Sequence, residues 1–239
     1  MISRSQIEEL RDKWQTAEQN IAREYVQHVV LSALYGLRQE VKLAFKGGTA
    51  LKLLQRSPRF SEDLDFTGWG KGFHLGEWIK MALKEASTAG LDFKTLDSNP
   101  TSGGWLALAE TRVHDWPIQV EWNISLREKG VAKTETVLVN SPLWVPYSVR
   151  ALPVDQMARE KIEALCRRKE PRDFFDIYFI LRGRLGIKAV AAAKKELIKH
   201  TTALNPRSVE KELKQFLPRN HWATAKQLPR MLLQELERL

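Results

Sequence analysis

Apolar residues recur at helical spacing near both ends of the chain and alternate in its middle. Ile7, Leu10 and Trp14 form one helical stripe, and Ile21, Tyr25 and Val29 another, so residues 5–38 read as one or two helices. Ser5 with Glu8 makes an S-x-x-E capping box at the start. VKLAFK (41–46) is short, apolar and halted by Gly47-Gly48, which predicts a strand. Thr49 to Gln55 reads as a short helix, and Ser57 to Glu62, with Pro58, as a loop. DLDFTGW (63–69) alternates and reads as a second strand, and a helix over 77–89 ends at Gly90.

A β-rich stretch follows, with strands predicted over 91–96, 105–113, 117–125 and 134–140. From about Pro153 the period changes to helical. The stretches 154–168, 171–183, 189–200 and 208–217 are expected helices, with one more after Pro229. The order predicts an α+β (mixed α/β) fold. Residues 1–150 form an α/β domain with N-terminal helices and a mixed sheet, and residues 151–239 form a helical bundle domain. No repeat, low-complexity tract or flexible linker interrupts the chain.

Composition narrows the class only a little. Of 239 residues, 43% are hydrophobic and 28% charged, as in an ordinary soluble globular protein. No apolar run approaches the length of a membrane span. The polar start MISRSQIEELRDK does not read as a signal peptide. A single cysteine, Cys166, excludes an internal disulfide framework and a cysteine-based zinc site. A cytoplasmic address with no membrane contact is the simplest expectation. The net charge of +9 and pI of 9.7 suit polyphosphate partners. A solvated basic surface accounts for the same numbers.

The chemistry-bearing stretch is KGGTALKLLQRSPRFSEDLDF (46–66). On a strand, Asp63 and Asp65 point to one face and Leu64 to the other. Two adjacent carboxylates repel unless a cation joins them, and Mg²⁺ suits oxygen ligands while leaving room for substrate phosphates. Glu121, from PIQVEWNIS, has the strand phase to supply a third carboxylate, and Glu110 on the preceding strand competes for that role. Bare D-x-D is common, and a Gly-Gly turn can serve positive φ alone. Together they place a helix N-terminus, with Gly47, Gly48 and the Thr49 hydroxyl as phosphate donors, beside paired metal ligands. The glycines fit neither G-x-x-x-x-G-K-[ST] nor G-x-G-x-x-G.

KGGTAL…RFSEDLDF resembles the signature of nucleotidyltransferases of the DNA polymerase β superfamily, and more closely that of the AbiEii-type nucleotidyltransferase toxins. Later pieces of that family's pattern stand in order: AREKIEALCRR with Lys161, then PRDFFDIYF with Arg172, Asp173 and Asp176. The resemblance covers about residues 40–182, and residues 184–239 match nothing recognisable. Ala158, Ile162 and Leu165 form an apolar stripe that leaves Lys161 beside it, where it can clamp a triphosphate or simply be solvated. Asp173 and Asp176 suit a helix start, where acids complement the dipole. One of them can also pair with Lys161 or position substrate, and Asp176 has the better spacing. Arg59 and Ser61 can contact phosphate or hold the loop before D-L-D.

The resemblance implies an Mg-dependent transfer of a nucleoside monophosphate from an NTP to an acceptor hydroxyl. Two Mg²⁺ ions (or Mn²⁺) would be held by Asp63, Asp65 and Glu121. The acceptor implied is RNA, with the tRNA 3′ end foremost, and the role is the toxin of a toxin–antitoxin or abortive-infection system with a cognate antitoxin protein. Three other readings share some of these residues. They are a transferase modifying protein hydroxyls, a glycosyltransferase using D-x-D, and a non-catalytic basic RNA-binding module.

Overall fold

The structure, a computed structural model, describes residues 1–69, 74–127 and 133–239. The chain divides into two compact units, one of Met1–Gln55 with Phe60–Leu152 and one of Arg56–Arg59 with Pro153–Leu239.

The first unit opens with α1 (Arg4–Trp14) and α2 (Glu18–Tyr35). The helix cap lies two residues earlier than the Ser5/Glu8 expectation. Ser3 Oγ accepts from the Gln6 amide at 3.2 Å, and Gln6 Oε1 accepts from the Ser3 amide at 3.1 Å. The same reciprocal logic applies with Gln in place of Glu. Then come β1 (Leu43–Lys46), α3 (Gly47–Gln55), β2 (Leu64–Trp69) and α4 (Leu75–Ser87). The strands β3 (Lys94–Thr101), β4 (Gly104–Val113), β5 (Trp116–Arg127), β6 (Glu135–Ser141) and β7 (Trp144–Ala151) complete the unit.

These strands form one seven-stranded sheet in the order β3-β4-β5-β2-β1-β7-β6. The pairs β2–β5 and β1–β7 are parallel and the others antiparallel, so the sheet is mixed. Its centre is aromatic. Phe45 (β1), Phe66 (β2) and Trp122 (β5) line one face, with successive ring centroids 5.6 Å apart. All three are fully buried, and burying side chains of this size contributes about 1.5–3 kcal/mol each. The helix α2 lies against β5 and β7.

Strand β7 was not expected from the sequence, because Pro146 in WVPYSVRA argues against an interior strand. The structure accommodates it at an irregular step. The register passes from Val139↔Tyr147 to Ser141↔Trp144, and Pro146 falls between the two. No ladder bond is needed at that position, so its missing N–H does no harm.

The second unit holds α5 (Val154–Arg168), α6 (Pro171–Arg182), α7 (Ile187–Ala192), α8 (Lys194–Thr202), α9 (Pro206–Phe216) and α10 (Trp222–Glu237). The helix expected over 189–200 is broken at Ala193 into α7 and α8. The last helix does not wait for Pro229 but runs through it from Trp222. Ala225, Leu228, Leu232 and Leu236 continue one buried stripe across the proline, and this packing outweighs the lost hydrogen bond.

Gly104 marks a tight point of the sheet. A Cβ there would stand 1.8 Å from the Ile124 carbonyl oxygen, which is backbone and cannot swing away. Gly104→Ala is therefore expected to cost about 1–3 kcal/mol through forced strand displacement, read as a fall in the urea midpoint of the full chain.

Candidate active site

The turn between β1 and α3 and the entry to β2 form the centre of the candidate site. Lys46 ends β1 and stands in register with Asp65 on β2, and Asp65 stands in register with Asn123 on β5. Alternation then puts Lys46, Asp65, Thr67, Glu121, Asn123 and Ser125 on one face. Leu64, Phe66 and Trp122 lie on the other, in the core. Lys46 Nζ donates to Ser125 Oγ at 2.9 Å, so its side chain reaches across β2.

Gly47 follows immediately, with φ +82°, a conformation that side chains rarely adopt. The Asp65 carboxylate fills the space a side chain would need, since a Cβ on Gly47 would stand 2.1 Å from Asp65 Oδ2. This brings a helix N-terminus, with its unpaired amides, into contact with a carboxylate. Gly48 is buried in the first turn of α3.

Thr49 does something other than expected. It is fully buried, and its hydroxyl donates to the Asp63 carbonyl at 2.5 Å. It fixes the entry to β2 instead of facing phosphate. Strand β2 begins at Leu64, so Asp63 stands at its threshold and not within it. The preceding step is clamped from α2, which the sequence reading missed. Buried Gln27 donates through Nε2 to the Ser61 and Glu62 carbonyls at 2.9 and 3.0 Å. Ser61 thus contributes its backbone. Gln27 carries no motif signal, because any buried helix residue could have lain there.

The two candidates for a third carboxylate differ in their place in the sheet. Glu121 is on β5, next to β2, whereas Glu110 is on β4, one strand further away and opposite Gln119. Glu121 Oε1 accepts from Asn123 Nδ2 at 3.0 Å. Among the described residues, no three acidic, histidine or cysteine side chains gather closely enough to hold a metal ion by themselves. The two aspartates supply the all-oxygen donors that Mg²⁺ takes when substrate phosphates complete its shell.

The later motif residues come together in the second unit as a buried charge network. Arg59 is only 3% exposed. Its Nε donates to Asp176 Oδ1 and its Nη2 to Asp176 Oδ2, both at 2.8 Å. Lys161 Nζ lies 2.8 Å from Asp176 Oδ2 and 3.9 Å from Asp173 Oδ1. Arg168 makes the second bidentate pair, to Asp173, at 2.6 and 2.7 Å. Lys161 is therefore not beside the apolar stripe of α5 but buried with it. Arg59 and Asp173, expected near phosphate, are engaged inside the unit. Arg172 pairs with Glu170 at 2.6 Å on the partly exposed side. Burial pushes the Asp176 carboxyl up, but Arg59 and Lys161 outweigh it and hold the group down at about 2. Arg168 had no motif weight in the sequence and emerges only from the α5–α6 geometry.

A model of the AbiEii family, the nucleotidyl transferase toxins of type IV toxin–antitoxin systems, matches residues 30–236. The match thus extends well past residue 182, through helices whose sequence matched nothing recognisable. The fold is similar to that of MenT4, a nucleotidyltransferase toxin of Mycobacterium tuberculosis H37Rv, with TM-score 0.65, 15% identity and coverage of 100% of this chain and 91% of that one. It is similar also to JHP933 of Helicobacter pylori, with TM-score 0.55, 18% identity and coverage of 93% and 95%. At these identities the likeness is one of fold. No curated protein matches the chain in sequence.

Gly47→Ala is expected to displace the Asp65 carboxylate and to cost about 1–3 kcal/mol from strain at positive φ. Calorimetry should show weakened Mn²⁺ binding alongside a lower melting temperature. Asp176→Asn should cost about 3–5 kcal/mol at pH 7, because Arg59 and Lys161 lose their shared carboxylate. The folded carboxyl titrates below its unfolded value of about 3.9. Its contribution is complete above about pH 4 and is lost as pH falls toward about 2. Urea titrations across that window should show the difference between wild type and Asp176→Asn shrinking with acid.

Proposed function

The chain belongs to the AbiEii nucleotidyltransferase toxin family, and on that premise we propose that it transfers a nucleoside monophosphate from an NTP to a hydroxyl of RNA, with the tRNA 3′ end as the favoured acceptor. The observation that supports this best is the contact of Gly47 with Asp65, which sets a helix N-terminus against a carboxylate at the head of D-L-D. A helix N-terminus that can receive phosphate beside a carboxylate that can hold a metal is the pairing this chemistry needs. Membership in the family makes the protein the toxin of a type IV toxin–antitoxin pair, and hence one with an antitoxin partner.

In this reading the acceptor oxygen attacks the α-phosphorus, the bond to the bridging oxygen breaks, and pyrophosphate leaves. Asp63 and Asp65 would hold a divalent metal, Mg²⁺ or Mn²⁺, which would supply charge neutralisation at the NTP phosphates. The amides of Gly47 and Gly48 bind phosphate oxygens at the start of α3. Glu121, one strand from Asp65 and on its face, takes the acceptor proton. Thr49 and Gln27 act on the backbone, holding Asp63 where β2 begins. Within the second unit, Asp176 orients the Lys161 ammonium, which this reading takes as a phosphate-binding cation.

The test supplies each labelled NTP, Mg²⁺ and either total RNA or cell lysate. Label is expected in RNA, most of it in tRNA. Asp65→Asn and Asp63→Asn should each lower the rate at least about 100-fold, and EDTA should abolish it until Mg²⁺ is restored. Label entering protein and never RNA would replace the acceptor with a Ser, Thr or Tyr hydroxyl. RNA binding with no transfer from any NTP would reduce the protein to a binding module.

A further inference from the structure

The chain's positive charge is not shared evenly. Up to Leu152 there are 19 basic and 18 acidic residues, and from Pro153 onward 19 and 11, which is +8 of the net +9. Part of that excess gathers where α9 and α10 pack together. Arg207, Lys211 and Lys214 of α9 recur at i, i+4 and i+7, and Trp222, Lys226 and Arg230 of α10 at i, i+4 and i+8, so each set follows one helix face. Lys214 Nζ stands 5.1 Å from the centroid of the Trp222 ring, which joins the two faces. The Glu210 carboxyl is held below its ordinary range by Lys214 and also by Lys226, so Lys226 faces the same surface. Among the described residues, the one ion pair made by these five cations is that of Lys214 with Glu210, at 2.7 Å.

Trp222 is 36% exposed, and among the described residues it and Leu239 are the only large apolar side chains exposed in the second unit. Its indole N–H donates to the Leu217 carbonyl at 3.2 Å, so the polar edge of the ring is engaged and its orientation is fixed. A lone indole among cations lacks the apolar core of a protein–protein interface. It suits single-stranded nucleic acid, which offers a π-face and a phosphate in every residue. We propose that this α9–α10 face binds a single-stranded segment of RNA, with a base stacked on Trp222 and backbone phosphates taken by Lys226, Arg230 and the cations of α9. From Trp222 to Arg230 the helix rises about 12 Å, room for more than one nucleotide.

The inference rests on the reading that RNA is the acceptor, but it is tested by binding alone, without NTP. A labelled, unstructured oligouridine is titrated with full-length protein by fluorescence anisotropy across a range of KCl concentrations. Trp222→Leu keeps an apolar side chain and removes the π-face. It is expected to weaken binding about tenfold with the salt dependence unchanged, and Trp222→Phe to stay within about threefold of wild type. Lys226→Gln combined with Arg230→Gln should reduce the slope of log affinity against log salt by about 1.4. Lys80→Gln combined with Lys84→Gln removes the same charge from the exposed side of α4 in the first unit and should leave affinity within about twofold. Equal affinity of wild type and folded Trp222→Leu overturns the proposal. So does a loss that Trp222→Phe fails to recover, which makes the ring structural, or an α4 pair that lowers the slope as much as the α10 pair, which makes the binding diffuse. Absence of oligouridine binding by wild type also overturns it and leaves the face to an acidic protein. Should Trp222→Leu fail to fold, the α10 pair decides: a lowered slope with the α4 pair unmoved supports the inference, and an unchanged slope refutes it. Labelled-NTP transfer is scored separately. The expected binding pattern in a protein that labels no RNA supports the face and removes the transfer reading, and transfer into RNA with binding untouched by the α10 variants removes the face alone.

Discussion

The absent side chain of Gly47 is the constraint on which the candidate site depends. The carboxylate of Asp65 stands where a Cβ would be, and the backbone there is held at φ +82°. Nothing larger than hydrogen permits both. The turn is held in place by the elements on either side. Phe45 and Phe66 fix β1 against β2 through the core, and Lys46 and Asp65 follow them in register on the opposite face. Thr49 then ties α3 to the Asp63 carbonyl. Glycine adopts this φ at no steric cost, whereas another residue there would be strained by roughly 1–3 kcal/mol.

The second unit applies a different device to the same problem of placing charge. Asp176 is buried and yet remains ionised far below the usual range, because two cations converge on it. Such a network adds little net stability compared with apolar packing, and its loss in part is far worse than its loss as a whole. Its value is geometric. Three flexible side chains, those of Arg59, Lys161 and Arg168, are held in single orientations by two aspartates three residues apart on α6. The i, i+3 spacing of Asp173 and Asp176 puts both on one helix face, where α5 can meet them.

Much of this was legible in the chain. The mixed α/β class followed from the change of hydrophobic period near Pro153, and the family followed from the order of KGGTAL, DLDF, Lys161 and PRDFFD. What stayed hidden has specific causes. Pro146 masked β7, because the irregular step of β7 against β6 that accommodates it is a tertiary fact. Pro229 masked the start of α10, because propensity is local and the buried stripe is not. Thr49 and Arg59 were read as phosphate contacts since a hydroxyl and a guanidinium suit anions wherever they stand. Only packing shows that one is turned onto a carbonyl and the other onto an aspartate. Hydrogen-bond capacity can be read from residue type, but its direction cannot.

That distinction also changes the meaning of the basic composition. A net charge of +9 invites a polyanion, but exposed Lys and Arg lie in high dielectric, where salt screens them beyond about 8–10 Å. They can speed encounter and raise affinity without choosing among phosphates. Lys161 differs in kind. Its ammonium is withdrawn from water and pinned at one oxygen of Asp176. Coulomb interactions there are several-fold stronger than at the surface, and the position is fixed before a ligand arrives.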